Sequence, residues 1–113
     1  MKQLTAIVNE ALEEVKGENI IILDVTDITA VMDTVIVVSG STNRQVKALS
    51  NAVIEASKKA GFQPLGVEGM DGGEWVLVDL IDVVVHIMQP AIRDFYELEK
   101  LWSVRPNNIV IDN

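Results

Sequence analysis

Cysteine is absent from the 113-residue chain, so no disulfide framework, thiolate metal site or cysteine nucleophile can be built from it. A reducing, cytoplasmic location is the expectation. Histidine occurs once, at position 86, so a metal site would have to lean on carboxylates. Long apolar runs are missing too: segments such as Val35 to Val38 and Val83 to Val85 fall far short of the roughly 20 residues a membrane helix needs. The opening Met1-Lys2-Gln3-Leu4-Thr5 has no uninterrupted apolar stretch, and neither targeting nor membrane association is expected. Basic residues number nine against seventeen acidic ones, a net charge of -8. A surface of that average charge repels phosphate backbones, so little direct nucleic-acid contact is expected. Such a surface associates readily with basic proteins, although from charge alone a plain solubility device is the better account.

Hydrophobic residues make up 49% of the chain. At this length roughly two-thirds of the unfolded surface can be buried, enough for one core. One domain over 1–103 with a tail at 104–113 is expected. Leu4, Ile7, Val8, Ala11, Leu12 and Val15 recur at helical spacing, with Gly17 as the stop. Ile20 to Val25 and Thr34 to Val38 are β-branched and apolar and predict two buried strands. Thr42 with Gln45 fits a capping box opening a helix that turns Val46, Leu49, Val53, Ala56 and Ala60 inward until Gly61. Gln63 to Val67 predicts a short strand, and Gly69-Met70-Asp71-Gly72-Gly73 a turn into Glu74 to Leu80. Val83 to Met88 returns from a tight turn near Ile81. Pro90 then precedes a last helix on which Ile92, Phe95, Leu98, Leu101 and Trp102 share a stripe. That order predicts an α/β fold with a mixed five-stranded sheet flanked by helices.

Strand parity sorts the hairpin from Glu74 to Met88 into two faces. Val76, Val78, Leu80, Val83, Val85 and Ile87 form a purely aliphatic face that must be core. The other face gathers Trp75, Leu77, Asp79, Asp82, Val84, His86 and Met88, a mixture that calls for polar partners or a docked molecule. His86 with Asp79 and Asp82 is thin for a metal, and a histidine hydrogen-bonded on a sheet face accounts for it better. Trp75 suits packing under a helix and a binding hot spot equally well. Tyr96 and Trp102, taken alone, read as core. Arg93 with Glu97 or Glu99 is expected either to position the docking surface or to be solvated helix-face charge.

Ser39-Gly40-Ser41 between a strand and a helix start could cradle a phosphate. Nucleotidyl transfer would need a carboxylate pair for Mg²⁺ after that turn, and Ser50 to Ile54 contains none. Asp24, Asp27 and Asp33 lie on different elements. Helix capping is the better account, and neither cofactor nor metal is expected.

The chain resembles the ribosomal silencing factors, also called Iojap-like proteins. The matching segments are Leu23-Asp24-Val25, Ser39 through Ala48, Val67-Glu68-Gly69, Glu74 through Asp79, Asp82 through Met88 and Arg93 through Trp102. They run in order along nearly the whole chain, short of the tail after Trp102. The resemblance implies a nucleotidyltransferase-like fold lacking catalytic carboxylates. It further implies that the chain binds the large ribosomal subunit, at its fourteenth protein on the intersubunit face, and so keeps the small subunit from joining and dampens translation when nutrients are scarce. The expected docking residues are Trp75, Leu77, Asp79, Asp82, His86, Met88, Arg93, Tyr96, Glu99 and Trp102, facing a basic ribosomal protein. Where the family usually has glycine this chain has Ile81, and the cost of a β-branched residue at positive φ predicts a different turn there. The alternatives are a small nucleotide-binding or nucleotidyltransferase-like enzyme using the Gly40-Ser41 turn, and a homodimeric scaffold.

Overall fold

Leu4, Val8, Ala11 and Leu12 are all buried, the stripe that makes α1 (Lys2–Glu14) a helix worth forming. The computed structural model describes residues 2–96. The stop of α1 is built by two residues. Lys16 takes the left-handed conformation (φ 64°) and donates to Glu13 O, while Gly17 donates to Leu12 O at 2.8 Å. Gly17 is needed for space, since a Cβ there would lie 2.7 Å from Val38 Cγ2.

The remaining elements are β1 (Glu18–Asp24), β2 (Thr34–Ser39), α2 (Asn43–Lys59), β3 (Gly66–Glu68), β4 (Trp75–Asp79), β5 (Val83–Met88) and α3 (Pro90–Tyr96). The five strands form one sheet in the order β1-β2-β5-β4-β3. β2 and β5 run parallel, and the other neighbours are antiparallel, so the sheet is mixed as expected. The parallel pair lies inside the sheet, covered on both faces, which is why Val35 to Val38 is apolar without alternation.

Each face of the sheet has its own core. On one, Ile36, Val38, Val76, Val78, Val83, Val85 and Ile87 pack under Leu4, Val8 and Leu12 of α1 and under Val46, Leu49 and Val53 of α2. The aliphatic face of the hairpin is therefore core, as its parity requires. On the other, Leu23, Val25, Val35, Val37 and Met88 are sealed by Ile28 and Met32 from the β1–β2 loop, by Ile92 of α3 and by Trp75.

Four local expectations are corrected. β1 is an edge strand, and of its residues only Leu23 is buried, because it has a neighbour on one side alone. The capping box is half made: Thr42 Oγ1 accepts from Gln45 N at 3.0 Å, but Gln45 Nε2 donates to Val15 O, tying the start of α2 to the end of α1. The inward stripe of α2 ends early, with Ala56 half-buried and Ala60 exposed at the C-cap. β3 starts at Gly66, not Gln63, in keeping with Pro64, which has no N–H for a ladder.

Candidate functional site

Register places the hairpin's mixed face at the centre of the question. Leu77 pairs with His86 and Trp75 with Met88 between β4 and β5, His86 lies beside Val37 of β2, and Glu68 of β3 lies opposite Leu77. A row thus crosses the sheet as Ile21, Val37, His86, Leu77 and Glu68. Along it Val37 is buried, His86 and Leu77 are half-buried, and Glu68 is exposed. The second core covers the β1–β2 half of this face and leaves the β4–β3 half partly open.

At that open half lies a cavity of about 280 Å³ lined by Glu68, Gly69, Trp75, Leu77 and His86. Gly69 makes the close wall possible: its φ is +92°, and a Cβ would lie 2.0 Å from Trp75 O. Trp75 Nε1–H donates to His86 Nδ1 at 3.2 Å, with the rings 6.0 Å apart and tilted by 48°. A ring that accepts at Nδ1 is neutral and carries its proton on Nε2. Burial lowers the His86 pKa to about 4, in agreement. His86 is thus hydrogen-bonded on a sheet face. Trp75 does both things its position allows, packing on the second core and lining the cavity.

The other expected residues separate into groups. Asp79 Oδ1 accepts from Ile81 N at 2.8 Å, and the Asp82 carbonyl accepts from Asp33 N and Thr34 N. Both belong to the hairpin turn. Asp79 is four residues from Trp75, roughly 13 Å along a strand, so the carboxylates do not surround the indole. Met88 is corrected: it is fully buried in the second core and offers no docking surface, because α3 and the β1–β2 loop close over its end of the strand. For Arg93 the structure decides against one of the two readings. The side chain is buried, and its Nη1 donates to Ser39 Oγ at 2.9 Å, so it fastens α3 to the end of β2 and is not solvated charge. Tyr96 ends α3; Glu97, Glu99 and Trp102 lie outside the described residues. Ile81 stands at φ +76°, so the turn keeps a glycine-like conformation despite its β-branched residue.

Glu68 and Gly69 are site residues that sequence reasoning misses. The signal is present in the chain: once β3 pairs with β4 across the glycine-rich turn, Glu68 must face Leu77.

The turn at Ser39–Thr42 is occupied by structural work. Thr42 caps α2, Ser41 Oγ donates to Glu18 Oε2 at 3.3 Å, and Gly40 N donates to Met88 O. A Cβ on Gly40 would lie 3.0 Å from Val46 N, so close packing accounts for this glycine. Among the described residues no three His, Asp or Glu side chains are grouped to hold a metal ion. No helix among them is long and apolar enough to cross a membrane.

The cations concentrate on the helical layer, which also carries Glu10, Glu13, Glu14 and Glu55. Lys16, Arg44, Lys47, Lys58 and Lys59 belong to α2 or follow the end of α1. The segments that build the other side, 24–34, 66–82 and 90–94, carry acidic residues and a single cation, the buried Arg93.

These features define a small α/β protein of one mixed sheet, with α1 and α2 packed on one face and, on the other, α3 beside an aromatic-lined cavity that has Glu68 at its rim. A family model, "Ribosomal silencing factor during starvation", matches residues 1–113, the tail after Trp102 included. A ribosomal silencing factor from Chromobacterium violaceum is 49% identical over 103 residues, covering 91% of this chain and 84% of that protein. A mouse protein named "Mitochondrial assembly of ribosomal large subunit protein 1" is 31% identical over 97 residues, 83% of this chain and 42% of its own length. A crystal structure of a Chromobacterium violaceum protein superposes with a TM-score of 0.90 at 45% identity, covering 99% of this chain and 93% of that one. The chain belongs to the ribosomal silencing factor family.

Proposed function

We propose that this chain represses translation in the cytoplasm by binding the large ribosomal subunit, at its fourteenth protein, and sterically keeping the small subunit from joining. The observation that carries the reading is the half-covered sheet face. Trp75, Leu77 and His86 form an apolar, aromatic floor, Glu68 stands at its rim, and no exposed cation lies on the segments around it. An aromatic anchor in a partly desolvated recess within an acidic surround is the composition of a hot spot for a basic protein. Family membership and the mouse relative's name, which speaks of the ribosomal large subunit, support the same partner. Asp79 and Asp82 extend the docking face towards the hairpin turn, and Tyr96, Glu99 and Trp102 are further contacts of the same face. Met88 and Arg93 act beneath it. The role requires no catalysis, and the engagement of the Ser39–Thr42 turn within the fold supports that.

Cosedimentation with purified large subunits tests the proposal. Wild-type protein pellets with them and loses binding as salt rises, and Trp75→Ala weakens binding at least about tenfold whereas Ser41→Ala does not. Equal binding by the Trp75 variant would move the docking face elsewhere, and Mg²⁺-dependent nucleotide turnover lost in Ser41→Ala would favour an enzyme.

A further inference from the structure

Large aliphatic side chains left in water are a cost unless something covers them, and three of those in this fold share one end of the sheet. Val31 is 75% exposed, Leu65 71% and Ile81 53%. Their segments are joined by backbone hydrogen bonds. Asp33 N and Thr34 N donate to Asp82 O, tying the Val31 loop to the Ile81 turn, and Leu65 N donates to Asp79 O on the turn's other flank. The three residues lie at the ends of strands in the order β2, β5, β4 and β3, whose outer members are three strand intervals apart, roughly 14 Å.

Ile81 adds a second, independent observation. It holds φ +76° at the tip of the hairpin, a conformation glycine or asparagine adopts with far less strain than a β-branched residue. The turn is secured on both sides, by Ile81 N donating to Asp79 Oδ1 and Asp82 N donating to Leu80 O. A turn alone would be better served by glycine, so an exposed isoleucine held under strain at the tip calls for a reason outside the turn. Single exposed aliphatics need no explanation, but a row of them does.

The surroundings select the occupant. Segments 24–34, 63–68 and 79–83 carry Asp24, Asp27, Asp33, Glu68, Asp79 and Asp82 and no lysine or arginine, the nearest cations in sequence being Lys58 and Lys59 in the last turn of α2. A second copy docking symmetrically here would set these carboxylates against their own counterparts. RNA is repelled for the same reason. We propose that the Val31–Ile81–Leu65 end of the sheet is a second docking surface, continuous with Asp79 and Asp82, for a protein segment that presents aliphatic side chains flanked by lysine or arginine. The inference rests on the ribosomal reading above, with that segment belonging to a protein of the large subunit.

The test is cosedimentation of Ile81→Gly, and of the double variant Val31→Ser with Leu65→Ser, with large ribosomal subunits, alongside thermal unfolding and sedimentation velocity. All three positions are exposed, and Ile81→Gly relieves strain, so both proteins should unfold at or near the wild-type temperature. Binding should fall about tenfold in each. Wild-type affinity in both variants overturns this surface and leaves the Trp75 face standing. Failure of wild-type protein to bind the subunits at all overturns both readings. A self-associated wild-type species that Ile81→Gly dissolves assigns the surface to a second copy and overturns the proposal.

Discussion

Acidifying this protein should destabilise it over a pH range set by one imidazole. His86 has its pKa lowered from 6.5 to about 4 by burial between the strands of the central hairpin. In the unfolded chain the ring takes up a proton as pH falls below 6.5; in the fold it stays neutral until pH nears 4. The depressed value therefore contributes stability that is complete above pH 6.5 and drains away as pH falls towards 4. The full difference corresponds to about 3 kcal/mol, of which about 2.5 kcal/mol is gone by pH 4.5. At about 4 °C per kcal/mol for a domain of this size, Tm should drop by about 10 °C between pH 7.5 and 4.5 from this group alone. Asp24, whose carboxylate is held below its ordinary range by the Thr26 hydroxyl and amide, loses its contribution mainly below that interval. The His86→Gln variant carries no titrating group at this position, so its loss over the same interval should be smaller by about 2.5 kcal/mol. Because the chain has one histidine, its imidazole resonances can be followed directly by NMR. A titration midpoint between 6 and 7, or an unchanged pH slope in His86→Gln, would refute the argument that the ring is buried and neutral.

Further outcomes follow from individual contacts. Trp75→Phe keeps a ring on the second core but removes the donor to His86, so it should cost about 1 kcal/mol of stability, read by urea unfolding, and raise the His86 pKa in the NMR titration. Gly69→Ala should cost more than about 3 kcal/mol, since positive φ and a clash with backbone add, whereas Gly61→Ala, at φ +93° with open space around it, should cost about 1 kcal/mol. Equal losses at the two glycines would remove the argument for the close wall at Trp75. Ser57 Oγ is buried without a hydrogen-bond partner, so Ser57→Ala should be neutral or raise stability by about 1 kcal/mol in the same assay.

Much of this architecture can be read from the chain because its signals are local and periodic. The β4–β5 hairpin needs only alternation, and every residue of the aliphatic face, Val76 to Ile87, falls where parity puts it. Element order follows from apolar stretches separated by glycine. What escapes is decided by neighbours distant in sequence. Met88 shares its parity with Trp75 and His86, yet α3 and the β1–β2 loop bury it while leaving them half-covered, and no period in the chain says where that cover stops. Arg93 carries a charge and would be placed in water on composition alone; only Ser39, 54 positions away, shows that it is held inside. Ile81 goes the other way. Steric preference argues against positive φ, but the tight connection Leu80-Ile81-Asp82 and the Asp79 carboxylate impose it.

If the second face docks as proposed, its uneven cover links stability to binding. α1 and α2 seal one side of the sheet, so that side can be apolar from edge to edge. The opposite side is closed by a loop and a short helix, which reach the β1–β2 half and Met88 but not Leu77. A fully solvated row would leave His86 with an ordinary pKa, and a fully covered one would leave no cavity. The intermediate state produces both a neutral imidazole bonded to Trp75 and a recess of about 280 Å³ beside it. With Nδ1 committed to Trp75, the indole is held in one orientation before any partner arrives, and a pre-ordered aromatic anchor loses less entropy on docking than a free one. The polar residue that looks out of place on the sheet is, on this account, what keeps the anchor in position.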